Sequence, residues 1–288
     1  MRQICRRGFG RAALLPLLLL AAALAGGCAT VPYRAGTAID YRPGPPLRPG
    51  EPQIVRGRPI PVLDSSGWIW PGSLLGKLLL WNHKVDSHRI SPGTERLLTE
   101  YLHTNELSNV KVRLNGYSVG DEWRRAMRNR SVGFGWRYTL GVYSCIVYTI
   151  MPGRFFGGDS YSPYSNTINI YSDIPVVAFH EGGHAKDFAR REYRGTYAFA
   201  YAIPFFNLYP DALATSDALS YVRDGQPLYL QQQGYNVLYP AYGTYIGGDI
   251  GGFLAFPWGQ LVSVVAVIPG HIAGRAKSHE LRENYVGE

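Results

Sequence analysis

Alternating apolar and polar residues predict two strands in the first two thirds of the chain. Val110 to Leu114 alternates in this way, and so does Asn166 to Tyr171, which places Ile168 and Ile170 on one face. A third strand is predicted over Arg137 to Tyr148, because this run is rich in aromatic and β-branched residues. The short strands predict a small sheet.

Helix signals lie between these strands. Leu74 to Trp81 is apolar apart from one lysine, and Ser91-Pro92 provides a cap and a first residue for the next helix. Asp121 to Arg128 predicts a basic helix. A further helix is predicted through Val176 to Ala185, with Ser172-Asp173 as its cap. Interleaved strands and helices predict an α+β domain over residues 67–225, with Asn166 to Tyr171 as an edge strand beside the last helix.

The C-terminal region, residues 226–288, is glycine-rich and apolar. Phe253 to Ala273 contains 21 residues without a charge, which is long enough to span a bilayer as a helix. Two prolines and His271 interrupt this run. Two interpretations therefore stay open, a packed core or contact with a membrane surface.

The N-terminus has the organisation of a signal peptide. Four arginines precede the apolar run Ala12 to Ala25, and small residues follow. Leu24 to Cys28 resembles a bacterial lipobox, which implies removal of residues 1–27 and lipidation of Cys28. The resemblance implies a lipid anchor in the bacterial cell envelope, on the periplasmic face of the outer membrane if the cell has one.

Residues 28–66 are dense in proline and predict an extended tether between the lipid and the folded domain. Removal of residues 1–27 leaves 25 basic and 21 acidic residues, because the removed segment holds four of the 29 Lys and Arg and none of the 21 Asp and Glu. This balance does not indicate nucleic-acid binding. Cys145 would be the one remaining free thiol, and its apolar neighbours predict a buried position.

The chemistry is carried by His180-Glu181-Gly182-Gly183-His184, an H-E-x-x-H sequence in the predicted helix. Residues four apart share one helix face, so His180 and His184 can present two ring nitrogens to one zinc ion. Glu181 then lies beside the ion and can take a proton from the attacking water. Gly182 and Gly183 each cost about 1 kcal/mol of helix stability relative to Ala, which indicates that bulk is excluded there.

With this motif the chain resembles the zincin metallopeptidases. In their gluzincin branch the third zinc ligand is a carboxylate on a following helix. The corresponding candidate is Asp211, because Pro210 and the small and apolar residues after it predict a helix start. Gluzincins usually have Glu here. The shorter Asp requires a closer approach of the two helices, and Thr215 stands where a second carboxylate is common.

Other carboxylates compete for the ligand position, namely Asp187, Asp217 and Glu192. Asp187 lies one turn beyond His184, where a hydrogen bond to that histidine is expected. Asp217 is turned away from the face of Asp211. Candidates for stabilising an oxyanion are Tyr193, Tyr209 and His271, and a lone His in an apolar segment is also a common core residue.

The resemblance implies a zinc-dependent peptidase that acts on peptide or protein substrates in the envelope and is anchored to the membrane through Cys28. Two alternatives stay open. One is a non-catalytic envelope lipoprotein that uses the same scaffold to bind a partner or to stabilise a membrane assembly. The other is zinc-dependent hydrolysis of a non-protein bond such as a cell-wall amide.

Overall fold

The centre of the fold is a mixed sheet of four short strands, seen in a computed structural model that describes residues 32–254 and 258–286. The strands are β1 (Ile54–Arg56), β2 (Lys111–Leu114), β3 (Ser160–Ser162) and β4 (Thr167–Ile170). Their order is β1-β2-β4-β3, in which β1, β2 and β4 are parallel and β3 is antiparallel to β4. With the helices around it, this sheet confirms the α+β class.

The helices of the described residues are α1 (Pro61–Ile69), α2 (Pro71–Leu79), α3 (Pro92–Thr104), α4 (Val119–Arg128), α5 (Phe134–Tyr138), α6 (Leu140–Ile150), α7 (Gly153–Phe156), α8 (Pro175–Ala189), α9 (Arg194–Ala200), α10 (Leu208–Arg223), α11 (Leu228–Gly251) and α12 (Trp258–Val286). The predicted helices over Leu74 to Trp81, from Pro92 and over Asp121 to Arg128 correspond to α2, α3 and α4. The predicted helix around the H-E-x-x-H sequence corresponds to α8.

The hydrophobic core lies between the sheet and the helices α3, α8, α10 and α11. Val112 and Ile168 of the two central strands are fully buried in it, together with Leu98, Phe179 and Leu230 of the helices. Side chains of Tyr101, Phe179 and Tyr221 pack ring against ring and join three of these helices. The core therefore holds α8 and α10 against each other and against the sheet.

The predicted strand over Arg137 to Tyr148 is wrong, because these residues lie in α5 and α6. Aromatic and β-branched residues are common in strands, but here the buried positions Gly141 and Cys145 of α6 are four residues apart, which is helical spacing. Cys145 is a free thiol that is fully buried, as expected. Burial raises its pKa to about 12.

The position of the edge strand also differs from the prediction. β4 is an internal strand between β2 and β3, and the strand at that edge is β3. Tyr161 of β3 pairs with Ile168 of β4. β3 is only the three residues Ser-Tyr-Ser, which is too short for an alternating pattern to be recognised in the sequence.

The segment predicted as a tether lies on the folded domain over its described part. Ile54–Arg56 forms β1, parallel to β2. Upstream, the backbone N–H of Gly36 donates to the carbonyl of Thr104, and Asp40 forms an ion pair with Arg194. Backbone hydrogen bonds and ion pairs need no apolar pattern, so proline density alone did not reveal this attachment. Cys28 and the predicted signal peptide lie outside the described residues.

The C-terminal region is a hairpin of α11 and α12. The two backbones approach closely at three glycines of α11, where an added methyl group would lie 2.6 Å from the carbonyl oxygen of Ala266 at Gly243, 2.6 Å from the Cα of Ser263 at Gly247, and 2.5 Å from the carbonyl oxygen of Gly259 at Gly251. Such close packing of small residues is common between helices in membranes.

The uncharged run Phe253 to Ala273 has two different faces in the hairpin. Ala266, Val267 and His271 are buried, whereas Leu261, Val265, Ile268 and Ile272 are exposed. One face thus packs against the protein, and the other is an apolar surface. Among the described residues, none of the helices combines the length and the apolar character needed to cross a membrane.

Candidate metal centre

The two histidines of the motif lie on α8, which is almost entirely buried. The helix starts at Pro175 after extended backbone at Ile174, and no side chain caps it. The predicted cap residue Asp173 instead accepts hydrogen bonds from Thr94 and Ser91, at the start of α3. Asp173 therefore holds the start of α3 beside the motif helix and does not cap the N-terminus of the motif helix itself.

The two glycines inside the motif lie at close contacts, which accounts for the absence of bulk at these positions. An added methyl group at Gly182 would overlap the ring of Tyr101. At Gly183 it would lie 3.0 Å from the Cα and from the carbonyl oxygen of Ala214 in α10. Gly183 therefore permits the close approach of α8 and α10 that an aspartate on α10 requires.

Three possible ligand atoms meet at this helix contact. Nε2 of His180 and Nε2 of His184 are 3.1 Å apart, and Oδ1 of Asp211 lies 3.5 Å from the first and 3.2 Å from the second. Ligands bound tetrahedrally at the usual zinc distances, about 2.0–2.1 Å, are separated by about 3.3 Å. The three side chains therefore fit one face of a tetrahedral metal site, and they form a group of possible metal ligands among the described residues.

The second ring nitrogen of each histidine also has a partner. Oγ1 of Thr215 lies 3.3 Å from Nδ1 of His180, and the hydroxyl of Tyr201 lies 3.4 Å from Nδ1 of His184. Such contacts fix the orientation of an imidazole that binds a metal. The sequence prediction named neither contact, although it noted Thr215 as the position where related sites carry a carboxylate.

The two histidines stabilise the negative charge of Asp211. Burial alone would raise the pKa of Asp211, but the hydrogen bonds and charges of His180 and His184 lower it to about 2. Asp211 is therefore a carboxylate at neutral pH, as a metal ligand must be.

Glu181 lies beside the cluster and is 6% exposed. Burial raises its pKa to about 8; the charge of His180 opposes the rise, and the carboxylates of Asp159 and Asp211 add to it. The backbone N–H of Tyr161 in β3 donates a hydrogen bond to Glu181. A divalent cation at the cluster would lower this pKa, because a nearby positive charge favours the carboxylate form.

A cavity of about 330 Å³ opens at His184 and Asp211, two of the three possible ligands. Glu181, His184 and Asp211 form its polar end, and Asp159 adds a third carboxylate. Aromatic rings form much of the remaining wall. They come from β3 and from four other parts of the chain, with Tyr161, Tyr164, Phe188, Tyr201 and Tyr245. The site is thus an acidic pocket with an aromatic wall beside the edge strand β3.

The carboxylates that competed with Asp211 lie elsewhere. Asp187 forms an ion pair with Arg191 and accepts a hydrogen bond from Tyr197, so the expected bond to His184 is not formed. Asp217 accepts hydrogen bonds from Nζ of Lys186 at 2.6 Å and from the hydroxyl of Tyr101 at 2.5 Å. Glu192 is exposed. Of these four carboxylates, the structure brings only Asp211 together with the two histidines.

The three candidates for oxyanion stabilisation also lie away from the cavity wall. Nε2 of His271 forms a hydrogen bond of 2.7 Å with the carbonyl oxygen of Leu79, and the imidazole ring stacks on Trp81. Tyr193 is 68% exposed, and Tyr209 is 52% exposed and faces the guanidinium of Arg191. Tyr201 and Tyr245, which do line the cavity, were not named by the sequence prediction because residues that meet only through tertiary packing carry no spacing signal.

Comparison of the chain with protein-family models, with curated proteins and with solved structures finds no match. The function is therefore argued from the geometry of this site.

Proposed function

We propose that the protein is a zinc-dependent peptidase of the zincin type, held in the bacterial cell envelope by lipid on Cys28. The observation that carries the proposal is the convergence of His180, His184 and Asp211 at mutual distances of 3.1 to 3.5 Å, with Glu181 in the same cavity. A His-His-carboxylate set is a typical catalytic zinc site, since it leaves one position for water or substrate.

Zinc bound to His180, His184 and Asp211 would polarise the substrate carbonyl and lower the pKa of water. Glu181 takes a proton from the attacking water and passes it to the nitrogen of the leaving amine, so the peptide bond is cleaved by addition of one water molecule. Thr215 and Tyr201 hold the two imidazoles in orientation.

The edge position of β3 supports an extended peptide as the substrate. Among the described strands β3 pairs only with β4, its residues Ser160 and Tyr161 line the cavity, and the backbone N–H of Tyr161 donates to Glu181. A peptide that pairs with this edge would run past Glu181 and the metal ligands. Addition of a strand to an edge gives affinity through backbone hydrogen bonds and leaves specificity to the side-chain pockets.

Tyr245 is the proposed donor to the developing oxyanion. Its ring lies in the cavity wall, 6.4 Å from the ring of His180 between centroids. Burial and the charges of Asp211 and Glu181 raise its pKa well above the usual value, so the hydroxyl keeps its proton and can donate it in a hydrogen bond.

The test is the metal content of the purified full-length protein, measured by mass spectrometry for the native sequence, His184→Ala, Asp211→Ala and the exposed control Glu192→Ala. We expect one zinc per chain in the native protein and in the control, and loss of zinc in the other two. Cleavage of a mixed peptide library by the zinc-loaded protein then tests the activity. A native protein that is folded and holds no zinc would contradict the proposal.

One observation favours the non-catalytic alternative, a scaffold that binds a partner. The exposed face of α12 carries Leu261, Val265, Ile268 and Ile272 in a continuous row. Exposed apolar patches of this kind are common at sites of protein or membrane contact. A protein that binds no zinc and does not cleave peptides, but captures one defined envelope partner, would support this function.

A further inference from the structure

A second cavity, remote from the metal centre, is lined by arginines. It has a volume of about 230 Å³ and lies between the segment Pro45 to Pro49 and helix α4. Four of its eight lining residues are Arg48, Arg124, Arg125 and Arg128, and none is acidic. It shares no lining residue with the catalytic cavity. We call this cavity the arginine pocket.

Arg125 is the unusual member of the pocket, because its charge is buried without an acidic partner. The residue is 1% exposed, and its hydrogen bonds go to backbone carbonyls, at 3.0 Å to Ser165 and Asn109 and at 3.2 Å to Asn166. No carboxylate in the described part of the chain forms an ion pair with it. Nη1 of Arg125 is buried and has no hydrogen-bond partner.

Arg113, also 1% exposed, provides the contrast. It forms ion pairs with Asp121 at 2.7 Å and with Glu122 at 2.6 Å, as a buried charge normally requires. A buried charge without a counter-charge is costly, and a free guanidinium N–H adds the cost of a lost hydrogen bond. The difference makes Arg125 a candidate to bind an anion.

The other arginines of the pocket are placed to bind the same anion. Arg128 and Arg48 are exposed, and in the described residues neither forms an ion pair. Arg124 is partly neutralised by Asp121 and, at 3.5 Å, by Glu51. These two acids are themselves bound to Arg113 and Lys111, so positive charge remains in excess at the pocket.

The size and the donors of the pocket select a class of ligand. Its volume is far above the space that one water molecule needs. The planar guanidinium group offers paired N–H donors that match two oxygens of a phosphate group. The prolines and Leu47 provide apolar walls around the remainder of the ligand.

We propose that the arginine pocket binds a phosphate group, carried either by a small soluble molecule or by the headgroup of an anionic lipid. Arg125, which lines the pocket and is buried, binds the group from the buried end, and Arg48 and Arg128 bind it from the exposed side. Arg124 contributes charge from its position beside Asp121.

The test is calorimetric titration of the purified full-length protein with inorganic phosphate at low salt. Arg48→Gln and Arg128→Gln keep a polar side chain but remove the charge and the guanidinium donors at the exposed side of the pocket. Arg96→Gln is the matched control, because Arg96 is also an exposed helical arginine but lies on α3. Melting curves verify that each variant is folded.

We expect one phosphate per chain, with affinity reduced at least about tenfold in each pocket variant and unchanged in Arg96→Gln. Added salt should weaken binding of the native protein, since the exposed arginines are open to screening. Arg125→Lys keeps the charge but loses the paired donors, so it should also weaken binding. If it does not fold, the two exposed variants decide the question.

Vesicles distinguish the two sources of phosphate. Co-sedimentation is measured with neutral phosphatidylcholine vesicles and with vesicles that also contain phosphatidylglycerol. We compare the excess of binding to vesicles with phosphatidylglycerol over binding to neutral ones. If the pocket variants reduce this excess and leave binding to neutral vesicles unchanged, the ligand is a lipid headgroup. If they reduce phosphate affinity and leave both vesicle measurements unchanged, the ligand is soluble. If they change neither phosphate affinity nor vesicle binding, the proposal is wrong.

Discussion

Gly183 of the motif helix faces Ala214 of helix α10 so closely that an added methyl group would lie 3.0 Å from the Cα of Ala214. This contact links the two halves of the candidate metal centre. His180 and His184 come from one helix, and Asp211 comes from the other. Because an aspartate is one methylene shorter than a glutamate, its carboxylate reaches the histidines only if the helices are this close.

We therefore expect Gly183→Ala to lower zinc affinity, by about tenfold, because α10 must move outward by a few tenths of an ångström and carry Asp211 with it. Zinc affinity is measured by competition with a chelator. Gly120→Ala on α4 is the control, because a methyl group there meets no atom within 4 Å. Equal affinity for Gly183→Ala and the native protein would mean that this contact does not set the position of Asp211.

The proposed role of Glu181 predicts the result of Glu181→Gln. The amide keeps the size of the side chain but cannot accept the proton of the attacking water, so turnover should fall by at least about 100-fold. Zinc content should stay the same, because Glu181 is not among the proposed ligands. The measurement is kcat on a peptide substrate together with zinc content by mass spectrometry. Full activity of the variant would contradict the proposed mechanism.

Thr215→Val should weaken zinc binding and leave the fold intact. Valine has nearly the shape of threonine, but it lacks the hydroxyl that lies 3.3 Å from Nδ1 of His180. Loss of such a contact to a metal-binding histidine typically costs about tenfold or more in affinity. Thr215→Ser retains the hydroxyl and should bind zinc like the native protein. The opposite order of the two variants would exclude this role for the hydroxyl.

The raised pKa of Asp159 predicts that stability depends on pH in protein that a chelator has freed of divalent cations. Burial and the charge of Asp86 raise the pKa of Asp159 from 3.8 to about 6. Below pH 3.8 the carboxyl group is protonated in both the folded and the unfolded state. As the pH rises to about 6 the unfolded chain loses this proton first, so the folded state loses stability, on the order of 3 kcal/mol.

Asp159→Asn removes this contribution and keeps an oxygen that can accept from the backbone N–H groups of Tyr171 and Ser172. Between pH 4 and 6 the free energy of unfolding of the variant, measured with urea, should therefore rise relative to that of the native protein. Parallel pH profiles for the two proteins would show that Asp159 titrates normally.

Two adjacent glycines of α11 should respond in opposite directions to alanine. Gly247→Ala places a methyl group 2.6 Å from the Cα of Ser263, so the hairpin must open and the free energy of unfolding should fall by about 1–3 kcal/mol. Gly248→Ala meets no atom within 4 Å and should stabilise the helix by up to about 1 kcal/mol. Thermal melts of the two variants compare them directly, and a loss of equal size in both would contradict the close packing.

The sequence predicted the local parts of this site well. The four-residue spacing of His180 and His184 and the helix start near Asp211 are properties of short segments, and both are found in the structure. The need for small residues at Gly182 and Gly183 was also visible, because glycine in a helix has a known cost. The partners of these glycines, Tyr101 and Ala214, could not be predicted from the sequence.

The parts that sequence reasoning missed depend on tertiary contacts or on very short elements. β3 has three residues, and Tyr201 reaches His184 only because α9 and the loop after it fold back on α8. For Arg137 to Tyr148, the prediction relied on strand-like composition and overlooked the helical spacing of the buried positions. The chemistry of His271 suggested a role at the metal centre, but its ring stacks on Trp81 and its Nδ1 accepts a hydrogen bond from Arg275.

The location of Tyr245 on α11 has a consequence for the order in which the protein is made. All three proposed ligands lie in α8 and α10, which leave the ribosome before α11 and α12. A nascent chain that ends at residue 225 would contain the ligands, but the apolar side of α10 that packs on Leu230 and Tyr235 would still be bare. The wall of the cavity that carries Tyr245 is therefore added after the proposed ligands, which would delay completion of the cavity until the C-terminal hairpin has been synthesised.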